Sequence, residues 1–212
     1  MTLKKNNEHL EYPERMVKKV QEEIHHGIDL LKTVKHPIIS ILGSHKGEKG
    51  DKWYDHCYKT AQELGKQGFA IMSGGGPGIM HAANSGAMSV NVPSIGIKAE
   101  FIEEEAITDK IYTHDATFDY LFVRRFVLAV NSQALIFYPG GYGTLNELFE
   151  YIVLMQTKMA DTVPVILVGK EFWKGMVDWL QTVHNEGYFS SKDLELLHFV
   201  DTTEEILAIL NP

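Results

Sequence analysis

The nine residues Pro139-Gly140-Gly141-Tyr142-Gly143-Thr144-Leu145-Asn146-Glu147 follow an apolar run at 134–138 and open an amphipathic stretch at 148–157. Strand, glycine-rich turn and helix in that order aim unpaired backbone N–H groups and the positive end of a helix dipole at an anion. Gly140, Gly141 and Gly143 let that backbone approach a ligand closely, because no Cβ stands in the way. The stretch therefore predicts a phosphate cradle, with Tyr142 and Thr144 in it and Glu147 one helical turn beyond. Thr144 and Glu147 also have the spacing of a capping box, in which the carboxylate only satisfies a backbone N–H. The pattern alone leaves both readings of Glu147 open.

Two more glycine-rich turns follow apolar runs earlier in the chain. Residues 38–42 lead into Gly43-Ser44-His45-Lys46-Gly47, and 69–72 lead into Ser73-Gly74-Gly75-Gly76-Pro77-Gly78. Short β-branched runs of this kind read as buried strands, and further ones stand at 94–97, at 163–168 and near Phe199. Between them lie helical patterns. One, capped by Asp51, carries Trp53, Cys57, Ala61 and Leu64 and is closed by Gly68. Others run through Met80, Ala83 and Ala87, over 118–132 and over 172–184. Thr202-Thr203-Glu204-Glu205 has capping-box spacing for a last helix.

Strands alternating with helices predict an α/β fold, Rossmann-like and doubly wound, with a mostly parallel sheet and helices on both faces. Ligands of such sheets bind beyond the carboxyl ends of the strands, where all three glycine turns fall. The charged segment ahead of the first strand carries Val17, Val20, Ile24, Ile28 and Leu31 at helical spacing. It predicts an N-terminal helical extension over 1–36, followed by one nucleotide-binding domain over 37–212.

The chain has 212 residues, 44% hydrophobic and 23% charged, with a formal net charge of -8. Those values suit a single soluble domain, and the acidic balance disfavours nucleic acid as a partner. No apolar run reaches the roughly 18 residues of a membrane span, and the polar N-terminus is not a secretory signal, so a cytoplasmic protein is expected. The single cysteine, Cys57, excludes an intrachain disulfide and reads as a buried core residue. The ten histidines, His25, His26 and His81 among them, show no metal-ligand spacing shared with nearby acids, so no metal is expected, and no cofactor is expected either.

Arg124 and Arg125 lie in the first half of the helix that feeds the 134–138 strand. Topology places that half at the carboxyl edge, beside the cradle, where an arginine can hold phosphate or sugar oxygens through a planar fork of donors. Arg124 also reads as a surface residue paired with Asp119 or Glu147. A nicotinamide fingerprint is incomplete: Gly74 and Gly76 match, Ile79 stands at the third glycine, and Glu100 lies roughly where a ribose-binding acid belongs. That glycine turn also follows the second strand rather than the first.

Gly74-Gly75-Gly76-Pro77-Gly78-Ile79-Met80, the pair Arg124-Arg125 and the stretch from Pro139 to Glu147 together resemble the Lonely Guy family, whose members are often mislabelled lysine decarboxylases. The likeness covers roughly 37–185. It implies a phosphoribohydrolase that cleaves the N-glycosidic bond of a purine nucleoside 5′-monophosphate, AMP or an N6-modified AMP of cytokinin type, to free base and ribose 5-phosphate. The family's arginine and basic residue fall on Arg124 and Arg125, and its essential glutamate on Glu147. Arg124 and Glu147 are thus the candidate catalytic residues. Ser44, Gly75, Gly76, Gly78, Arg125, Gly140, Gly141, Tyr142, Gly143 and Thr144 are the candidate substrate-binding residues. The N-terminal helix and the Gly-Pro-Gly form resemble the longer branch, which implies a homo-oligomer. Three positions depart from the family pattern: His81 where a glutamate is usual, Arg125 in place of lysine, and Asn146 where an acid is common. A non-catalytic nucleotide carrier with the same cradle is the alternative function.

Overall fold

A computed structural model describes residues 12–100 and 110–210. The chain alternates as expected. Helix α1 (Pro13–Thr33) precedes β1 (Ile38–Leu42), α2 (Lys52–Lys66), β2 (Ala70–Ser73), α3 (Ile79–Ser89) and β3 (Ser94–Ala99). Then come β4 (His114–Phe118), α4 (Leu121–Ala129), β5 (Ser132–Phe137), α5 (Tyr142–Gln156) and β6 (Val165–Val168). The chain closes with α6 (Lys170–Asn185), α7 (Ser191–Leu194), β7 (Leu197–Val200) and α8 (Thr203–Leu210). Of the acidic stretch over 100–105, where Glu103, Glu104 and Glu105 are adjacent, all but Glu100 lies outside the described residues.

The strands form one seven-stranded sheet in the order β4-β3-β2-β1-β5-β6-β7, parallel at every pairing. The winding runs outward from β1 to β4, then returns to the centre and runs outward again from β5 to β7. The reversal between β1 and β5 is the switch point at which such sheets open a crevice.

Burial on both faces explains the uninterrupted apolar runs. On one face Ile39, Ile41, Ile71, Ala134 and Ile136 pack under α2, α3 and α8, with Cys57, Leu64 and Ile206 among the covering residues. On the other, Ile38, Met72, Ile97, Leu135 and Leu167 pack under α1, α4, α5 and α6. Cys57 is fully buried, as expected, and burial pushes its thiol well above the usual range.

One strand escaped the pattern. Strand β4 sits at the sheet edge, and only Ala116 and Phe118 of its five residues are buried. With polar His114, Asp115 and Thr117 as its other three residues it has no apolar run to read, so the helix expected over 118–132 begins at Leu121 and ends at Ala129. The capping box at α8 forms as expected, with Glu205 N donating to Thr202 Oγ1 at 3.2 Å and Thr202 N to Glu205 Oε2 at 3.1 Å.

Helix α1 turns its expected stripe only partly to the core: Leu31 is buried there, and Val20 and Ile24 pack against it. Glu23, Gly27 and Leu31 are its buried residues, while Val17 is exposed. Val17, Met16, Val20 and Ile24 line an apolar groove of about 470 Å³ closed by Phe122 of α4. Gly27 is required by contact, since a Cβ there would stand 2.5 Å from Val127 Cγ2. Glu23 is buried because it binds the start of α4: its carboxylate accepts from Asp119 N at 2.8 Å and Tyr120 N at 3.3 Å. Burial raises its pKa, and those two backbone bonds oppose the rise.

Glu23→Ala should leave those two N–H groups without their acceptor, at a cost of roughly 1–3 kcal/mol. Scanning calorimetry should show a Tm lower by several degrees, and an unchanged Tm would remove Glu23 from the support of α4.

Candidate functional site

The three glycine turns meet at the carboxyl ends of β1, β2 and β5, joined through one residue. Ser44 N donates to Pro139 O at 3.1 Å, and Ser44 O accepts from Ile79 N at 3.0 Å. Its hydroxyl accepts from Lys46 N at 3.0 Å. The turn after β1 is therefore pinned between the other two. Gly78 must be glycine here, with φ at +65° and an added Cβ only 2.4 Å from Ser44 O. A Cβ at Gly140 would stand 2.2 Å from the hydroxyl oxygen of buried Thr144.

Gly141 and Gly143 differ from these. A Cβ built on either meets nothing within 4 Å, and neither has a positive φ. The protein's own packing does not ask for glycine at these two positions. What they provide is bare backbone at the first turn of α5, open to whatever approaches it. Tyr142, between them, is 94% exposed, so its ring stands in solvent beside the cradle.

Helix α5 begins at Tyr142 with Gly141 as its N-cap. Thr144 is thus already the third helical residue and Glu147 lies in the second turn, so the capping-box reading of this pair fails. Glu147 faces Arg124 instead. The Arg124 guanidinium donates from Nε to Ile97 O at 2.7 Å and from Nη2 to Gly74 O at 3.1 Å, and its Nη1 lies 3.5 Å from Glu147 Oε1. The two side chains are 12% and 14% exposed. Gly74 leaves room for this contact, since a Cβ there would stand 2.1 Å from Arg124 Nη2 and 2.7 Å from Met80 Sδ.

Burial raises the Glu147 pKa, while Arg124 and then Arg125 pull it down and Glu150 pushes it up. Burial prevails because Arg124 spends two donors on carbonyls and meets the carboxylate at long range. A helix N-terminus would favour the ionised carboxylate, but Glu147, in the second turn of α5, lies too far along the helix to feel that end.

Arg125 turns away from Arg124. Its Nε pairs with Glu150 on α5, and its carbonyl accepts from Tyr151 Oη at 2.9 Å. The second basic residue thus ties α4 to α5 without touching Glu147. Gly75 and Gly76 are buried in the turn beside Arg124, and Gly75 N donates to Ser73 Oγ at 3.1 Å. His81 lies on α3 with Nδ1 2.6 Å from Tyr54 Oη, the two rings stacked. Asn146 is exposed.

A cavity of about 430 Å³ lies on the α2 side of the cradle, lined among others by Ser44, Lys46, Trp53, Tyr54 and Gly140. Sequence reasoning named Ser44 and Gly140 of its walls as site residues but not Trp53, Tyr54 or Phe172, which no motif links to the glycine turns. Among the described residues no group of three His, Cys, Asp or Glu is placed to hold a metal ion, and no helix is long and apolar enough to cross a membrane.

The family described as "possible lysine decarboxylase" matches residues 80–210, which include Arg124 and Glu147. That is more than half of the chain. The chain belongs to this family, the Lonely Guy family. A cytokinin riboside 5′-monophosphate phosphoribohydrolase of Arabidopsis thaliana is 25% identical over 171 residues, covering 80% of this chain and 79% of the relative. One of Mycobacterium marinum is 25% identical over 150 residues, covering 70% and 80%. Among solved structures, the molybdenum cofactor binding protein of Rippkaea orientalis superposes with a TM-score of 0.60 at 18% identity, covering 83% of this chain and 96% of that one. The Moco carrier protein of Chlamydomonas reinhardtii gives 0.57 at 20% identity, covering 82% and 94%. At such identities these two show the shared fold.

The Glu147 carboxyl should titrate above the ordinary glutamate range in a carbon-detected NMR experiment. Glu150→Gln removes the charge that raises it and releases Arg125, which lowers it, so the midpoint should move to lower pH. A midpoint at the ordinary value in both proteins would contradict the arrangement of charges described here.

Proposed function

We propose that this protein is a nucleoside 5′-monophosphate phosphoribohydrolase acting on AMP or an N6-modified AMP of the cytokinin type. The observation that carries the reading is Gly141 and Gly143: bare backbone that the fold does not need, on the same helix that holds Glu147 against Arg124. The names of the relatives support the reaction class.

In this reading the 5′-phosphate rests against the first-turn N–H groups of α5, which fix the ribose over the second turn. The C1′–N9 bond breaks with its electron pair going to the base, which takes a proton from solvent as it leaves. Water forms the new bond to C1′, giving ribose 5-phosphate. Positive charge develops on the ribose in the transition state. Glu147, ionised above its raised pKa, faces that charge and hydrogen-bonds the ribose hydroxyls. A raised pKa also suits it to take the proton of the attacking water. Arg124, fixed by two carbonyls, holds Glu147 in place and presents its remaining donors to substrate oxygens. The chemistry needs only these residues and water.

Incubation with AMP and N6-modified AMP, followed by chromatography, should show free base and ribose 5-phosphate. Glu147→Gln should reduce base release by at least about 10²-fold, the scale of losing one preorganised electrostatic contact. Gly143→Ala should weaken AMP binding while leaving stability unchanged or raised by up to about 1 kcal/mol, because alanine is the better helix former. Tight AMP binding with no base released over hours would replace the enzyme with a nucleotide carrier.

A further inference from the structure

Arg124 is held by the turn after β2, and something must hold that turn. Its two consecutive carbonyls point to different partners. Gly74 O accepts from Arg124 Nη2 at 3.1 Å, and Gly75 O accepts from Tyr112 Oη at 3.0 Å. Tyr112 lies just ahead of β4 and reaches the turn from the sheet edge. Gly96 makes room for it, since a Cβ on Gly96 would stand 2.7 Å from the Tyr112 ring. Gly75 itself has a φ of +67°, a conformation that relies on its surroundings. The stem of Lys98 packs against it, with Cγ 2.6 Å from where a Cβ would be, and the Lys98 ammonium pairs with Asp115 on β4.

From this geometry we propose that Tyr112 is a positioning residue: through the Gly75 carbonyl it fixes the turn whose preceding carbonyl fixes Arg124, and so sets the distance between Arg124 and Glu147. The inference rests on the reaction proposed above for the Arg124–Glu147 pair. The chain of contacts is continuous, from the Tyr112 hydroxyl to Gly75 O, along one peptide to Gly74 O, and on to the guanidinium that meets Glu147. Tyr112 is half-buried, and burial raises its hydroxyl to about 12, so it stays protonated and donating through the working pH range. Neighbouring charges do not change this. The first cause of the shift is burial and the second is Asp115, which also raises it, while the Lys98 ammonium lies 5.7 Å from the ring centroid. No substrate atom need touch Tyr112.

Tyr112→Phe keeps the ring against Gly96 and removes only the hydroxyl. With AMP as substrate, kcat should fall by about tenfold while KM changes by less than about threefold, because the loss falls on the transition-state contact and not on phosphate binding. In the same variant the Arg124 Nε–H, bonded to Ile97 O, should exchange with solvent at least about fivefold faster by nitrogen-resolved NMR. A kcat within twofold of the original with unchanged Arg124 exchange overturns the proposal. A lower Tm with unchanged kcat also overturns it, since that is the result of a purely structural bond. If the unsubstituted protein releases no base from any nucleotide, the proposed reaction fails, and the Arg124 Nε–H exchange rate alone decides the role of Tyr112.

Discussion

The Arg124 guanidinium is the point on which the carboxyl edge of this sheet depends. It is nearly buried, always charged, and must therefore find acceptors for its donors within the protein. It finds them on three segments: Ile97 O at the end of β3, Gly74 O in the turn after β2, and Glu147 on α5. One side chain from the crossover helix α4 thus fixes the relative position of two strand ends and the helix beyond the cradle. A lysine, with a single compact ammonium and no rigid fork, could not reach all three at once.

The surroundings are shaped to serve that group. Gly74 is bare so that the guanidinium can lie on it, and Glu23 from α1 binds the N–H groups at the start of α4. Arg125 pairs with Glu150 and so holds α4 to α5 one turn away. Helix α1, polar as it is, belongs to this support: Leu31 shares the core on the same face as Val123 and Val127 of α4. Burial raises the Glu147 pKa, and the two arginines that oppose the rise do not cancel it, because Arg124 is shared with carbonyls and Arg125 is occupied by Glu150.

The family departures find places in this arrangement. The arginine at 125 keeps a basic residue that spans α4 and α5, and its fork suits a carboxylate partner. His81 stacks on Tyr54, which lines the cavity on the other side of the cradle, so the change from an acid there alters that cavity and leaves the Arg124–Glu147 pair untouched. Exposed Asn146 alters neither.

Much was legible in the chain alone. Apolar runs ending in glycine turns determine the alternation of strands and helices and place three turns at one edge, because a buried parallel strand and a close backbone approach each demand a narrow set of residues. Strand β4 was not legible, since an edge strand with two buried side chains leaves no run. The pattern also could not exclude a capping-box role for Glu147. That depended on where α5 starts, which rests on Gly141 as its N-cap and on no local spacing. Which carbonyls hold Arg124, that Arg125 turns to Glu150, and that Tyr112 reaches Gly75 were decided only by the tertiary structure. These contacts join residues far apart in the chain, and the carbonyl acceptors carry no side-chain signature, so only folding brings them together.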